Sequence, residues 1–124
     1  MSVLAALALA AAPAAEPVAL AADQIVVIGE RLKTWRGKWR TDKGAARCQT
    51  TKSTGDREID AIGCSALEAC VTPLIPRMQA IAASKAPRAE RNRLMQAASQ
   101  PIGPCLVERR GDGIAALAER RAGA

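Results

Sequence analysis

The sequence predicts a small α+β domain: an N-terminal β-hairpin packed on three to four short helices and stapled by two disulfides. Three observations carry that expectation. Tryptophans alternate with basic residues up to a turn signal at Asp42, Lys43 and Gly44. Beyond Ser53, apolar residues recur at three- and four-residue steps, the period of a helix. Four cysteines lie downstream of a segment with the features of an export signal. An all-α stapled bundle is the alternative, because Ile28, Leu32, Trp35 and Trp39 also fall at i, i+4, i+7 and i+11.

Residues 3–12 are an unbroken apolar run of ten, followed by Pro13 and by the small-residue triplets Ala12-Pro13-Ala14 and Ala19-Leu20-Ala21. That is the layout of a signal peptide, although only Met1 and Ser2 precede the run and neither is basic. A membrane anchor needs about 20 consecutive apolar residues, and Pro13, Glu16 and Pro17 interrupt this one too early. Residues 1–22 are therefore read as a signal peptide and 23–124 as a single small domain, periplasmic or secreted, with no membrane span once the signal is removed. The competing reading keeps the segment as an alanine-rich helix of the folded protein.

Ile25, Val26, Val27 and Ile28, β-branched throughout and followed by Gly29, predict a short buried strand. From Leu32 to Thr41 the alternation sets Trp35, Gly37, Trp39 and Thr41 on one face and Arg36, Lys38 and Arg40 on the other, and residues 45–51 form the return strand. Ser53-Thr54-Gly55-Asp56 has the form of a capping box that opens a helix through Ile59, Ile62, Ala66, Leu67 and Cys70, stopped at Pro73. A second helix covers about residues 73–84, and a third opens at Pro87. Residues 101–104, with two prolines, read as a loop that delivers Cys105, and residues 112–121 as a final, fraying helix.

Only 22 large apolar side chains follow residue 24, a thin core for about a hundred residues. Cross-links would compensate. In an oxidising compartment Cys48, Cys64, Cys70 and Cys105 form a disulfide framework, for which three pairings exist. Cys64 and Cys70 on one helix lie about 120° apart around its axis, which favours separate partners; Cys48 with Cys64 and Cys70 with Cys105 is the preferred arrangement. The spacings lack the close Cys-x2-4-Cys pairs of structural zinc, so no metal and no cofactor is expected.

Composition removes most enzymatic chemistry. With no His there is no imidazole base, no Ser-His-Asp triad and no Cys-His dyad. Asp56, Glu58 and Asp60 imitate a calcium loop, but Ala61 and Leu67 stand where the turn glycine and the closing acid belong; they are read as capping and dipole-compensating groups. Arg110-Gly111-Asp112 matches an adhesion tripeptide and is read as a loop. Charge is more informative. Residues 31–52 hold eight cations and one acid, a net +7, whereas the ten cations and eleven acids elsewhere leave −1. The candidate anion-binding residues are Arg31, Lys33, Arg36, Lys38, Arg40, Lys43, Arg47 and Lys52 with Trp35 and Trp39. Expected partners are anionic lipid or envelope glycan. Nucleic acid is the weakest, since two aromatic residues build no stacking platform. A solvated basic face over inward tryptophans is the plainer reading of the same residues. The expected role is non-enzymatic binding of an anionic envelope surface; a disulfide-stapled inhibitor or protein-partner module comes second, and an enzyme third.

Ile25-Val26-Val27-Ile28-Gly29, Trp35-Arg36-Gly37, Ser53-Thr54-Gly55-Asp56 and Cys64 together resemble small exported bacterial proteins of no established function, a likeness over residues 25–70 that implies export and no activity. The first of these strings also resembles the energy-coupling box of TonB-dependent outer-membrane receptors, whose barrel needs a far longer chain.

Overall fold

A computed structural model describes residues 17–123. The elements are α1 (Pro17–Leu32), β1 (Arg36–Asp42), β2 (Ala45–Lys52), α2 (Arg57–Val71), a 3-10 turn (Thr72–Leu74), α3 (Ile75–Ala83), α4 (Arg88–Ser99) and α5 (Ile102–Gly123). The α+β class, the hairpin and both disulfides are as the sequence predicts. The apolar run at residues 3–12 lies outside the described residues, and residues 17–22 form the first turns of α1.

The hairpin is not the first element. The expected strand at residues 25–28 is instead the third quarter of α1. Ile28 and Leu32, one helical turn apart, are buried with Ile59, Leu117 and Ala118, and that shared burial outweighs the strand preference of a β-branched run. Helix α1 closes at Leu32, whose carbonyl accepts from the Trp35 N–H at 3.1 Å. The chain then turns directly into β1.

The turn between the strands is Lys43-Gly44, with φ of 50° and 79°. Both central residues are left-handed, the geometry whose twist matches a two-residue hairpin. The register sets Lys38 opposite Gln49, Trp39 opposite Cys48 and Arg40 opposite Arg47. The edge of β2 away from β1 is covered by helix side chains: the Ala46 N–H donates to Thr72 Oγ1 at 3.1 Å and the Cys48 N–H to Glu68 Oε2 at 3.3 Å. That satisfies edge donors that would otherwise recruit another strand.

Trp35 sits where the hairpin meets the helices. Its side is 5% exposed, its indole N–H donates to Thr50 Oγ1 at 3.0 Å, and the Arg110 guanidinium lies 5.7 Å from the ring centroid. Glycines make room for it. A Cβ on Gly63 would come within 2.6 Å of the indole, and one on Gly37 would also overlap the ring, so the tryptophan lies between two surfaces without side chains.

Helix α2 starts at Asp56, not at Ser53. Asp56 Oδ1 accepts from the N–H groups of Glu58 at 3.0 Å and Ile59 at 3.3 Å, which makes Asp56 the N-cap. Ser53 and Thr54 serve the preceding loop: both hydroxyls, and the Thr54 N–H at 2.8 Å, donate to the Asp60 carboxylate. The stop at Pro73 is gentler than expected, a single 3-10 turn that passes straight into α3. By length and composition alone Arg57–Ala83 could cross a membrane, but its buried side, with Ile59, Ala66, Val71 and Ile75, is the core of the fold.

The predicted loop at residues 101–104 is, from Ile102 on, the start of α5. Pro104 is accommodated because first-turn N–H groups have no intrahelical acceptor, and the Cys105 N–H reaches the Pro101 carbonyl at 3.2 Å. Arg110, Gly111 and Asp112 are likewise helical, and the expected fraying helix carries Leu117 and Ala118, both fully buried. Cys70–Cys105 joins α2 to α5, and Cys48–Cys64 joins β2 to α2. Loops of 16 and 35 residues correspond to about 3 and about 4 kcal/mol in the chain-entropy description. Two such bridges are typical of extracellular or periplasmic proteins.

Candidate functional site

Alternation along the hairpin separates two faces. Gly37, Trp39, Thr41, Ala46, Cys48 and Thr50 belong to the face that meets the helices, through the Cys48–Cys64 bridge and the Trp35–Thr50 hydrogen bond. Lys38, Arg40, Arg47 and Gln49 belong to the outer face. These four surround an open depression whose floor is the Trp39 and Cys48 strand pair. Side chains directly opposite on such a pair have Cβ atoms about 4.5–5.5 Å apart, so Arg40 and Arg47 are held side by side. The nearest relief is Asp42, whose carboxylate lies 3.7 Å from Arg47 Nε.

Of the ten residues predicted as one site, the eight cations divide into three groups and the two tryptophans part. Lys38, Arg40 and Arg47 are brought together on the outer face. Lys43 stands at the turn, while Arg36 and Lys52 pair at the other end of the ladder beside a register shift. Arg36 Nη1 donates to the carbonyls of Lys33 at 3.0 Å and Trp35 at 2.8 Å, which ties its guanidinium to the start of the strand. Arg31 and Lys33 are not on the hairpin. Arg31 lies in the last turn of α1, 3.8 Å from Asp56, and Lys33 pairs with Glu30 at 2.8 Å. Trp35 is in the core. Trp39 alone of the two tryptophans reaches solvent, 38% exposed. Among the described residues, no carboxylate lies within 4 Å of a charged nitrogen of Lys38, Arg40, Lys43 or Lys52.

Gln49 was not legible as a site residue, because an isolated amide in a strand carries no pattern. A second feature also escaped the sequence. Trp39 borders an apolar groove formed with Thr41, Ile75, Met78, Ala82 and Met95. The helical period placed Ile75, Met78 and Met95 on apolar faces, but not under the hairpin.

The acidic residues of α2 are engaged elsewhere. Arg120 donates to Glu58 at 2.9 Å, and Arg121 donates to Asp56 at 2.7 Å and to Glu58 at 3.4 Å. Partial burial pushes the Asp56 carboxyl up, but the Arg121 hydrogen bond and the Ile59 and Glu58 N–H groups together outweigh it and hold the carboxyl below its ordinary value. The Arg120 hydrogen bond, with help from Arg121, lowers Glu58. Asp60 is likewise lowered: burial opposes the shift, and Ser53 and Thr54 prevail. Arg121 is raised by its Asp56 partner. All three acids are thus ionised and engaged at neutral pH, which suits a clamp and leaves no proton to donate. The outer hairpin face, by contrast, presents three charged donors, of which Arg47 alone has a carboxylate, Asp42, beside it among the described residues, an arrangement that can bind anions. Comparison with protein-family models, with curated proteins and with solved structures finds no match to this chain.

Proposed function

We propose that this is an exported, non-enzymatic protein of the periplasm or the extracellular space that binds anionic envelope surfaces through the outer face of its hairpin. The observation that supports this most is Arg40 directly opposite Arg47. Like charges so placed destabilise a strand pair, by roughly 0.2–1 kcal/mol for interactions of this kind. Folding alone does not favour them. An anion seated between the two guanidinium groups reverses the sign, because planar forks engage phosphate or carboxylate oxygens in pairs. Near an anionic surface each cation contributes about 1 kcal/mol, so Lys38, Arg40 and Arg47 together give about 3 kcal/mol, on the order of a hundredfold in affinity. Arg36, Lys43 and Lys52 add a field that steers approach.

Retention of the protein on an immobilised polyanion tests this reading. It should elute as salt rises, because screening shortens the reach of exposed charges. Charge reversal at Arg36, Lys38 and Arg40 should move elution to much lower salt. Retention that is the same at low and high salt, or indifferent to the reversals, removes the proposal. A second reading, a disulfide-stapled inhibitor or partner-binding module, is favoured by Val26 and Val27, 65% and 51% exposed on α1. It requires a stable, salt-independent heterocomplex from the envelope fraction.

A further inference from the structure

The groove beside Trp39 bears on which anionic surface is bound. Trp39 borders both the cationic depression and the apolar groove. The groove is walled by Thr41 of β1, by Ile75, Met78, Gln79 and Ala82 of α3 and by Met95 and Ser99 of α4, a mainly apolar lining that holds no ionisable residue. The two features flank the same strand, and the edge of β1 between them has no strand partner among the described residues, whereas the opposite edge of the sheet is closed by Thr72 and Glu68. Charge lies on one side of that open edge and an apolar channel on the other.

This juxtaposition discriminates between anionic ligands. A sulfated or phosphorylated glycan matches the cations but presents hydroxyls to the groove, which would strip them of water with few polar groups in return. A free phosphate uses only the cations. An amphiphile with a phosphate head and an alkyl chain uses both, because methionine side chains adapt to an irregular apolar partner and tryptophan is stable at headgroup depth, with its ring against acyl chains and its N–H toward water.

Resting on the anion-binding reading above, we propose that the open edge of β1 seats on a phospholipid surface, with Lys38, Arg40 and Arg47 on headgroup phosphates and an acyl chain entering the groove at Trp39, Met78 and Met95. The two tryptophans make this measurable. Trp35 is buried, 5% exposed, and serves as an internal reference, while Trp39 is accessible.

The experiment uses the full chain with vesicles of phosphatidylglycerol and phosphatidylcholine whose acyl chains carry bromine, and compares them with heparin in solution. Binding should quench Trp39 emission through the acyl-chain bromines, and in Trp39→Phe the remaining Trp35 emission should be untouched by the same vesicles. Met95→Gln, in the groove and outside the cationic depression, should weaken vesicle binding roughly tenfold, the effect of about 1.4 kcal/mol of lost apolar contact, and leave heparin binding unchanged. Vesicle binding without acyl-chain quenching overturns the acyl subsite and leaves a charge-only surface, as does an equal loss of vesicle and heparin binding in Met95→Gln. Heparin binding with no vesicle binding points to a glycan and overturns the lipid inference alone. Failure to bind either probe overturns it together with the anion-binding reading.

Discussion

Two arginine pairs, one on the hairpin and one at the end of α5, use the same side chain for opposite purposes. Arg120 and Arg121 face Asp56 and Glu58, and their charge is consumed in joining α5 to the start of α2. That junction is the ionic counterpart of the Cys70–Cys105 bridge, which joins the same two helices further along. Arg40 and Arg47 face each other, with a single carboxylate, Asp42, near one of them. What separates the pairs is where the acids were placed. Four of the twelve acids of the chain lie at residues 56–68, on or beside α2, and only one lies among the eight cations of residues 31–52. Charge on α5 is used inside the fold, whereas Lys38 and Arg40 on the hairpin meet no carboxylate among the described residues.

The largest expected effect comes from exchanging the two roles. Reversing Arg40 and Arg47 to Glu removes two attractive charges and adds two repulsive ones, about 4 kcal/mol at an anionic surface and on the order of a thousandfold in affinity. Stability should stay within about 0.5 kcal/mol, as for exposed substitutions. Arg121→Ala should do the reverse. Arg121 is three-quarters buried and bonds the N-cap of α2, so its loss should cost about 1 kcal/mol, allowing for solvent screening, or roughly 5 °C in Tm for a domain of this size, with vesicle or heparin affinity unchanged. Thermal melts and binding isotherms on both variants check the exchange. Binding lost in Arg121→Ala with the fold intact would mean that the two regions are not separate.

Acid sharpens the same contrast. The folded-state carboxyls of Asp56 and Glu58 lie below ordinary values of 3.8 and 4.5. A group whose folded value is depressed contributes stability that is fully present above its unfolded value and is lost as pH falls through the folded one. Stability should therefore hold down to about pH 5 and decline below it as the α2–α5 ion pairs are protonated away. Arg121→Ala should show a shallower decline, because it has already lost part of the linkage. Binding to a sulfated polyanion through the hairpin does not use these carboxyls, so it should be level from neutral pH down to the onset of unfolding. Urea melts at stepped pH measure the first effect, and heparin binding at the same pH values the second.

The hairpin was legible in the sequence and the helix clamp was not, for reasons of distance along the chain. A period of two, a Lys-Gly turn and the side on which Lys38, Arg40 and Arg47 emerge are settled within seventeen residues. The choice between strand and helix at residues 25–28 depends on Leu117 and Ala118, some ninety positions later. Nothing local announces that Asp56 will meet Arg121 across 65 positions. The angle between Cys64 and Cys70 on a single helix, a local property, argues against joining those two and leaves two pairings, of which the preferred one matches the structure. The groove at Trp39 needed helices α3 and α4 to be placed against β1, which periodicity alone does not supply.

The smallest predicted effect is also the most specific to the hairpin, because its sign separates a tolerated repulsion from a harmless one. In Arg40→Thr, Arg47 no longer has a like charge directly opposite, Asp42 stays beside it with Lys38 only diagonal across the strand pair, and a β-branched residue occupies a strand position where it is favoured. The variant should gain a few tenths of a kcal/mol, at most about 1, which appears as a rise of a few degrees in Tm, while its affinity for anionic vesicles falls roughly fivefold with the loss of one cation. Raising salt in the parent protein should recover part of the same stability, since it screens the Arg40–Arg47 repulsion, and should add less to the variant. A parent protein whose melting point does not respond to salt, together with a variant no more stable than the parent, would mean that the two guanidinium groups diverge into solvent, and the opposed arginines would then be no sign of a bound anion.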